Sequence, residues 1–338
     1  MIESGVPGTG VGVGSARRRR LGLGVAAGVA VLAVLHTATW YVVTGRMLAA
    51  VPEAVVAAAA DGWRVEAGAA RRGGWPLRAA VVLDGVVVTR ELGGTRLRWT
   101  ADGLDAGIGA WAPNMVVVSP LGEQAVTVGA GAPVPVLGTM TVRVPLRDGA
   151  VVAAARDVAV RGVGWGLGVA TAEAQWDGQA LAVTAGGIVP SPKMAAPFDG
   201  AADMVLHAVL TQPFPQAATP GESARAWRQA GGRLEVRSLG LHLAALAAEG
   251  SGEGGLDGRL QPEGRAALRV TGAAEVLDAA AAAGLVAPGP ASAARAVLQL
   301  LTLAARGGPV AVQVELREGV LTVARFPIVR VPVLDWGG

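Results

Sequence analysis

The sequence predicts a mainly β protein of the α+β class: an N-terminal transmembrane helix, then a curved antiparallel β-sheet with a few helices packed on it near the C-terminus. Three observations carry this. An uncharged apolar run fills residues 21–44. Apolar residues alternate with period two from Trp63 onward. Asp-Gly turn signals recur at 61, 84, 102, 148, 177, 199 and 257, and Glu-Gly at 318, mostly between β-branched runs.

The apolar run, LGLGVAAGVAVLAVLHTATWYVVT, spans roughly 36 Å as a helix, enough for a hydrocarbon core of about 30 Å. Arg17, Arg18, Arg19 and Arg20 precede it directly, and Arg46 is the only basic residue close behind. Placing arginines at the bilayer centre costs roughly 2.5–3.5 kcal/mol each, so the short tail is expected to stay cytoplasmic and the remainder to be exported. A cleavable signal has a shorter apolar region, of about 7–15 residues. The run's length, with Trp40 and Tyr41 near its outer end, therefore favours a retained anchor, with Ala49-Ala50 as the alternative cleavage site. His36 is the lone strongly polar residue of the span and reads as a bystander. Residues 1–20 are a Gly-rich basic tail and 45–61 a stalk helix, opened by Pro52 and Glu53 in its first turn and stopped by Asp61-Gly62.

Of the 29 Lys and Arg, five lie before residue 51, as does one of the 26 Asp and Glu (Glu3); residues 51–338 therefore keep 24 and 25 and are near −1. That balance argues against a nucleic-acid partner, despite the overall charge of +3. The absence of cysteine excludes disulfides and thiol catalysis. With 52% hydrophobic and 16% charged residues, the chain can bury a substantial core.

Residues 62–338 form the expected β-rich body, with the Pro-rich stretch 190–220 as a place where it could divide. The clearest hairpins are 172–185, where Ala174 and Trp176 face Leu181 and Val183 across Asp177-Gly178, and 310–325, where Val310, Val312, Val314 and Leu316 alternate before Glu318-Gly319. In RLEVRSLGLHLAAL the apolar phase jumps from Val236 to Leu239, predicting a bulge near Ser238. Helices are expected at 222–229, bearing Trp227, and at 273–285 and 291–306, the last with Val297, Leu298, Leu301 and Ala305 on one face against the sheet.

Several short segments come in a characteristic order: Gly62-Trp63, then Gly74-Trp75-Pro76-Leu77-Arg78; Trp111-Ala112-Pro113; Trp227 with Gly231-Gly232; Leu256-Asp257-Gly258 with Gly264; and Glu318-Gly319-Val320-Leu321 with Pro327. In these the chain resembles an uncharacterised proteobacterial family, domain-of-unknown-function family 2125, over most of residues 50–335. The resemblance implies an N-terminal anchor in the bacterial inner membrane and a β-rich periplasmic body. It also implies a general similarity to AsmA-like envelope proteins, whose curved sheets form apolar grooves. It supplies no catalytic residues and no cofactor.

The residues themselves show no GxSxG, P-loop or HExxH motif. His207 and His242 are the only histidines beyond the span, and neither has metal-ligand spacing to a partner. Asp102/Asp105, Asp199/Asp203 and Glu249/Glu253 are carboxylate pairs in Gly-rich stretches, where acids commonly serve turns. The tryptophans offer another site. Trp63, Trp75, Trp99, Trp111 and Trp176 lie in or beside predicted strands and are the candidates to line a groove for an apolar or amphipathic ligand. Ordinary core packing is the favoured alternative for them, and Trp165 between Gly164 and Gly166 reads as a possible edge residue.

Two functions remain. One is a non-enzymatic, membrane-anchored envelope protein that binds lipid-like molecules on an apolar sheet face. The other is a scaffold that recruits another envelope protein by strand addition at an exposed edge. A hydrolase ranks behind both, since it needs an acid, base or metal cluster that the spacing does not show.

Overall fold

Residues 13 to 60 form one unbroken helix, α1 (Val13–Ala60), in the computed structural model of the chain. The structure describes residues 13–190, 200–272 and 308–331, apart from short breaks at 93–94, 163–164, 216, 218, 244–245 and 324–325, together with 274, 295, 303, 305, 333, 334 and 336. Of the helices expected at 273–285 and 291–306, only 274, 295, 303 and 305 are described, the first three of them helical; the rest lie outside the described residues. The separate stalk helix is corrected: Pro52 lies inside α1 and not in the first turn of a new helix. Proline deprives the Leu48 carbonyl of its amide partner, yet the alanine-rich sequence on both sides carries the helix through. Asp61-Gly62 ends it as expected, with Gly62 at φ +80°.

Sixteen strands follow among the described residues: β1 (Trp63–Glu66), β2 (Ala70–Gly73), β3 (Arg78–Leu92), β4 (Thr95–Gly109), β5 (Ala112–Val128), β6 (Val134–Pro145), β7 (Val151–Gly162), β8 (Trp165–Trp176), β9 (Ala180–Pro190) and β10 (Ala202–Leu210). Helix α2 (Pro220–Gln229) comes next, then β11 (Leu234–Leu243), β12 (Leu246–Leu256), β13 (Pro262–Thr271), β14 (Val310–Arg317), β15 (Val320–Val323) and β16 (Phe326–Arg330). From β3 to β16 every strand pairs antiparallel with its sequence neighbours, and β1 and β2 share the outer edge of β3. The sheet is open and curved. It runs through the Pro-rich stretch without a division, because β9 and β10 pair directly.

The hairpins at β8–β9 and β14–β15 stand where the alternation put them. At Asp177 the carboxylate accepts the amides of Ala180 and Gln179 at 2.6 and 2.9 Å, which hold its carboxyl below the usual range. The bulge near Ser238 is present as register shifts beside it on both neighbouring strands. Two Asp-Gly signals are corrected. Asp84-Gly85 and Asp102-Gly103 lie inside the 15-residue strands β3 and β4, where Gly85 has φ +59° and the β4–β5 register slips past Asp102. Gly85 takes up a positive φ within an unbroken register, whereas the slip beside Asp102 places the extra residue on β5, where Gly122 has φ +69°. Asp102 is held there by the Glu123 amide at 2.7 Å.

α1 packs on the first strands through its outer turns. Trp40 Nε1 lies 3.2 Å from the Gly73 carbonyl and 3.1 Å from that of Arg78, and Thr44 is fully buried. His36 is no bystander: its Nε2 lies 2.6 Å from the Pro76 carbonyl, so the imidazole donates to it. Buried apolar side chains gather at Ala80, Val81, Val82, Val86 and Ala101 near this junction, and again around Ala208, Ala224 and Trp227.

Strand β12 is rich in glycine, and the spacing to β13 depends on it. A Cβ at Gly250 would collide with the Ala267 carbonyl and come within 3.0 Å of the Leu268 Cα, whereas at Gly254 the nearest atom is the Glu263 carbonyl at 3.2 Å. Gly250→Ala is therefore expected to destabilise by about 1–3 kcal/mol and Gly254→Ala by less than about 1 kcal/mol. Thermal unfolding of the two variants side by side, followed by circular dichroism, checks the order.

Candidate apolar groove

Cross-strand partners point to the same side of a sheet, so the register defines each face. Beginning on β3, successive partners are Val81, Ala106, Val118, Val142, Ala153 and Ala174. The row continues through Val183, Leu206, Leu239, Gly250, Leu268 and Val312 on β14. No polar side chain interrupts it. A parallel row runs Val151, Trp176, Leu181, Ala208, Val236 and Gly252, then on to Ala266, Val314 and Val323. One residue along, on the opposite face, the sequence of partners is Val117, Arg143, Val152, Gln175, Ala182, His207 and Ser238.

The first of these rows is closed at its ends and open between. Val81 and Val312 are 2% and 8% exposed, whereas Val118, Val142, Ala174, Val183, Leu206 and Leu239 are only half-buried. A packed core would bury such side chains to a few per cent. Among the described residues, no layer covers the middle of this apolar face completely.

Towards the C-terminal end the face deepens into a cavity of about 460 Å³, lined by Leu210, Phe214, Trp227, Leu234, Leu256, Leu268, Leu316, Leu321 and Trp336 among others. Helix α2 forms one wall. Its start is fixed by a capping box in which the Thr219 hydroxyl accepts the Glu222 amide and the Glu222 carboxylate accepts the Thr219 amide, both at 3.2 Å. Trp227 is 5% exposed, its ring centroid 5.8 Å from that of Phe214, and its Nε1 donates to the Gln212 carbonyl at 3.0 Å. Trp336 Nε1 donates to the Leu260 carbonyl at 2.7 Å. Both indoles thus satisfy their one polar atom and present the ring to the cavity.

The structure does not bring the five groove tryptophans together. Trp176 alone has its place on the apolar rows, between Val151 and Leu181. Trp63 lies under the Arg90 guanidinium, 4.7 Å from its ring centroid, and Trp99 is half-buried on β4 between Val88 and Val126. Trp75 and Trp111 are 58% and 93% exposed at turns. None lines the cavity, and the side chain of Trp165 lies outside the described residues. The cavity residues were signalled by the period-two alternation of β10 to β15, combined with a cap motif, Thr-Pro-Gly-Glu, ahead of Trp227.

The polar candidates have structural partners. His207 Nδ1 meets the Ser238 hydroxyl at 2.8 Å, and His242 lies 4.0 Å from Glu249. Arg78 pairs with Asp105, and Arg265 with Glu253 at 2.6 Å. Asp203 accepts the Gly187 amide at 3.0 Å, and Asp199 lies outside the described residues. Among the described residues, no three His, Asp or Glu side chains converge as a metal site would require. The helix residues 26–60 are long and apolar enough to cross a membrane.

Comparison with curated proteins and with solved structures gives no match. A family profile, by contrast, matches residues 40–332, from Trp40 on the outer part of α1 to the segment beyond β16. By that match the chain belongs to the bacterial family DUF2125, described as an uncharacterized protein conserved in bacteria.

Proposed function

We propose that this protein is a non-enzymatic, single-pass protein of the bacterial inner membrane, with a cytoplasmic N-terminus and a periplasmic sheet that binds lipid-like amphipaths in envelope biogenesis. The observation that carries the reading is the unbroken apolar row from Val81 to Val312. At about 4.8 Å between strands it extends roughly 50 Å, well beyond the length of one extended acyl chain. Each methylene moved from water onto such a surface contributes about 0.8 kcal/mol, so a long acyl chain bound along several strands needs no specific polar contact. The cavity beside α2 then suits the end of a chain.

The test is native mass spectrometry of the full-length protein released from lipid nanodiscs. Phospholipid or lipid A fragments retained by the wild-type chain, and lost on placing a charge in the row, would support the reading; equal retention by both would end it. Strand addition, the other reading, would use β16 as its free edge. Pro327 there lacks an amide to donate, which weakens that edge as a template.

Orientation is checked separately. In intact cells a Ser251→Cys variant is expected to react with a membrane-impermeant maleimide, because Ser251 is exposed on the sheet. Replacing Arg17 to Arg20 by glutamine should then cut the labelled fraction to about half, since the charge bias that sets orientation is gone. A cysteine that reacts only after lysis would place the sheet in the cytoplasm.

A further inference from the structure

The depth at which α1 meets the sheet carries a second conclusion. In the antiparallel meander, one end of the sheet holds the turns at 74–77, 110–111, 146–150, 177–179, 257–261 and 318–319. This is the end that touches α1 at His36 and Trp40. Counting 1.5 Å per residue from Arg20, His36 stands about 24 Å and Trp40 about 30 Å along the helix. A hydrocarbon core is about 30 Å thick, so the Pro76 carbonyl bonded to His36 lies about 6 Å inside its outer boundary, not above it.

The turns nearest α1 have the composition that this depth requires. Trp75, Leu77 and Trp111 are 58%, 70% and 93% exposed, and the Ala110 amide bonds the Leu77 carbonyl at 3.2 Å, so the two tips stand side by side. The next turn, with Leu146 53% exposed ahead of Arg147 and Asp148, is mixed. Farther from α1 the same end of the sheet carries Asp177-Gly178-Gln179, Asp257-Gly258-Arg259 and Glu318-Gly319. Tips bearing exposed tryptophan beside the helix give way to mostly charged turns as the sheet leads away, with Phe214 in the β10–β11 connection, 41% exposed, as the exception. Basic groups sit just outside the aromatic ones: the Arg72 guanidinium lies 4.1 Å over the Tyr41 ring, and Arg46 is exposed little more than a helical turn further out. Tryptophan at the boundary with arginine beyond it suits an interface bearing anionic headgroups.

We infer that the turns at 74–77 and 110–111 are immersed in the outer leaflet of the membrane that α1 crosses, fixing the mouth of the sheet at the lipid surface. This rests on the reading of α1 as a membrane span. Because the chain has no cysteine, single sites can be labelled cleanly. The full chain, carrying bimane at Leu77→Cys, Trp111→Cys, Gln179→Cys or Val31→Cys, is placed in phosphatidylethanolamine–phosphatidylglycerol vesicles. These contain phosphatidylcholine doxyl-labelled either near the headgroup or deep in the chain. Labels at 77 and 111 are expected to lose about half their fluorescence to shallow doxyl and less to deep doxyl, the label at 31 to show the reverse order, and the label at 179 to be untouched. If 31 is quenched but 77 and 111 behave like 179, the inference fails while the span stands. If 31 is not quenched either, both fall.

Discussion

A chain carrying Leu206→Glu is expected to fold, to reach the membrane and to lose at least about tenfold in lipid retention, equivalent to about 1.4 kcal/mol. Leu206 sits in the middle of the apolar row between Val183 and Leu239, and it is half-buried. On an open stripe the new carboxylate keeps part of its hydration, so the cost to folding should stay near 1–2 kcal/mol, while an acyl chain bound over it would strip that water away. In a filled core the same change would cost more than about 4 kcal/mol and unfold the sheet before any lipid could be assayed. Melting temperature and bound lipid, read on one preparation, separate the two. A stable variant that still carries its lipid would refute the groove. His207→Glu, one residue along on the polar face and bonded to Ser238, is the matched control and should leave lipid retention unchanged.

Much of this architecture was legible because its signals are local. The 24-residue apolar run and the Asp-Gly hairpin at 177–178 each declare themselves within a dozen or two residues. What was not legible needs neighbours. Asp84-Gly85 looks identical to Asp177-Gly178 as a dipeptide, and only the pairing of Asp84 with Gly103 across two long strands keeps it inside a strand and not at a turn. Tryptophan misled for a related reason. Burial of a large ring is decided by what lies opposite, and Trp75 and Trp111 stay 58% and 93% exposed at their turns, whereas Trp227 has Phe214. The apolar row itself is assembled from alanine, valine, leucine and glycine, one residue per strand. No single strand announces that its partners eleven strands away continue the same row.

His36 shows how one misjudged residue can change the frame. As a bystander it would cost free energy in a span. As the donor to the Pro76 carbonyl it locks the height of the sheet against the helix, so the anchor and the β body meet as one unit and not through a flexible tether. On the proposed reading, an amphipath leaving the outer leaflet would meet the sheet already at the lipid surface.

Trp227→Ala is expected to be the most destabilising single change near the cavity, at about 3–5 kcal/mol. Three features set that figure. The ring is 5% exposed, so its removal leaves a void that α2, only ten residues long, cannot collapse to fill. Phe214 loses its aromatic neighbour. Gly232 is packed directly against the indole, so closely that a Cβ there would collide with it, and the return into β11 depends on that contact. Trp227→Phe isolates one part of the effect: it keeps most of the packing and gives up the bond from Nε1 to Gln212, worth about 1 kcal/mol. The order expected is therefore wild type, then Phe, then Ala. Limited proteolysis offers a local readout, because Arg225, Arg228 and Arg233 surround the site and trypsin should cut the Ala variant faster here than at Arg143 on β6. A Trp227→Ala protein that melts and digests like the wild type would mean that α2 is an ornament on the sheet, and the cavity it walls would have to be redrawn.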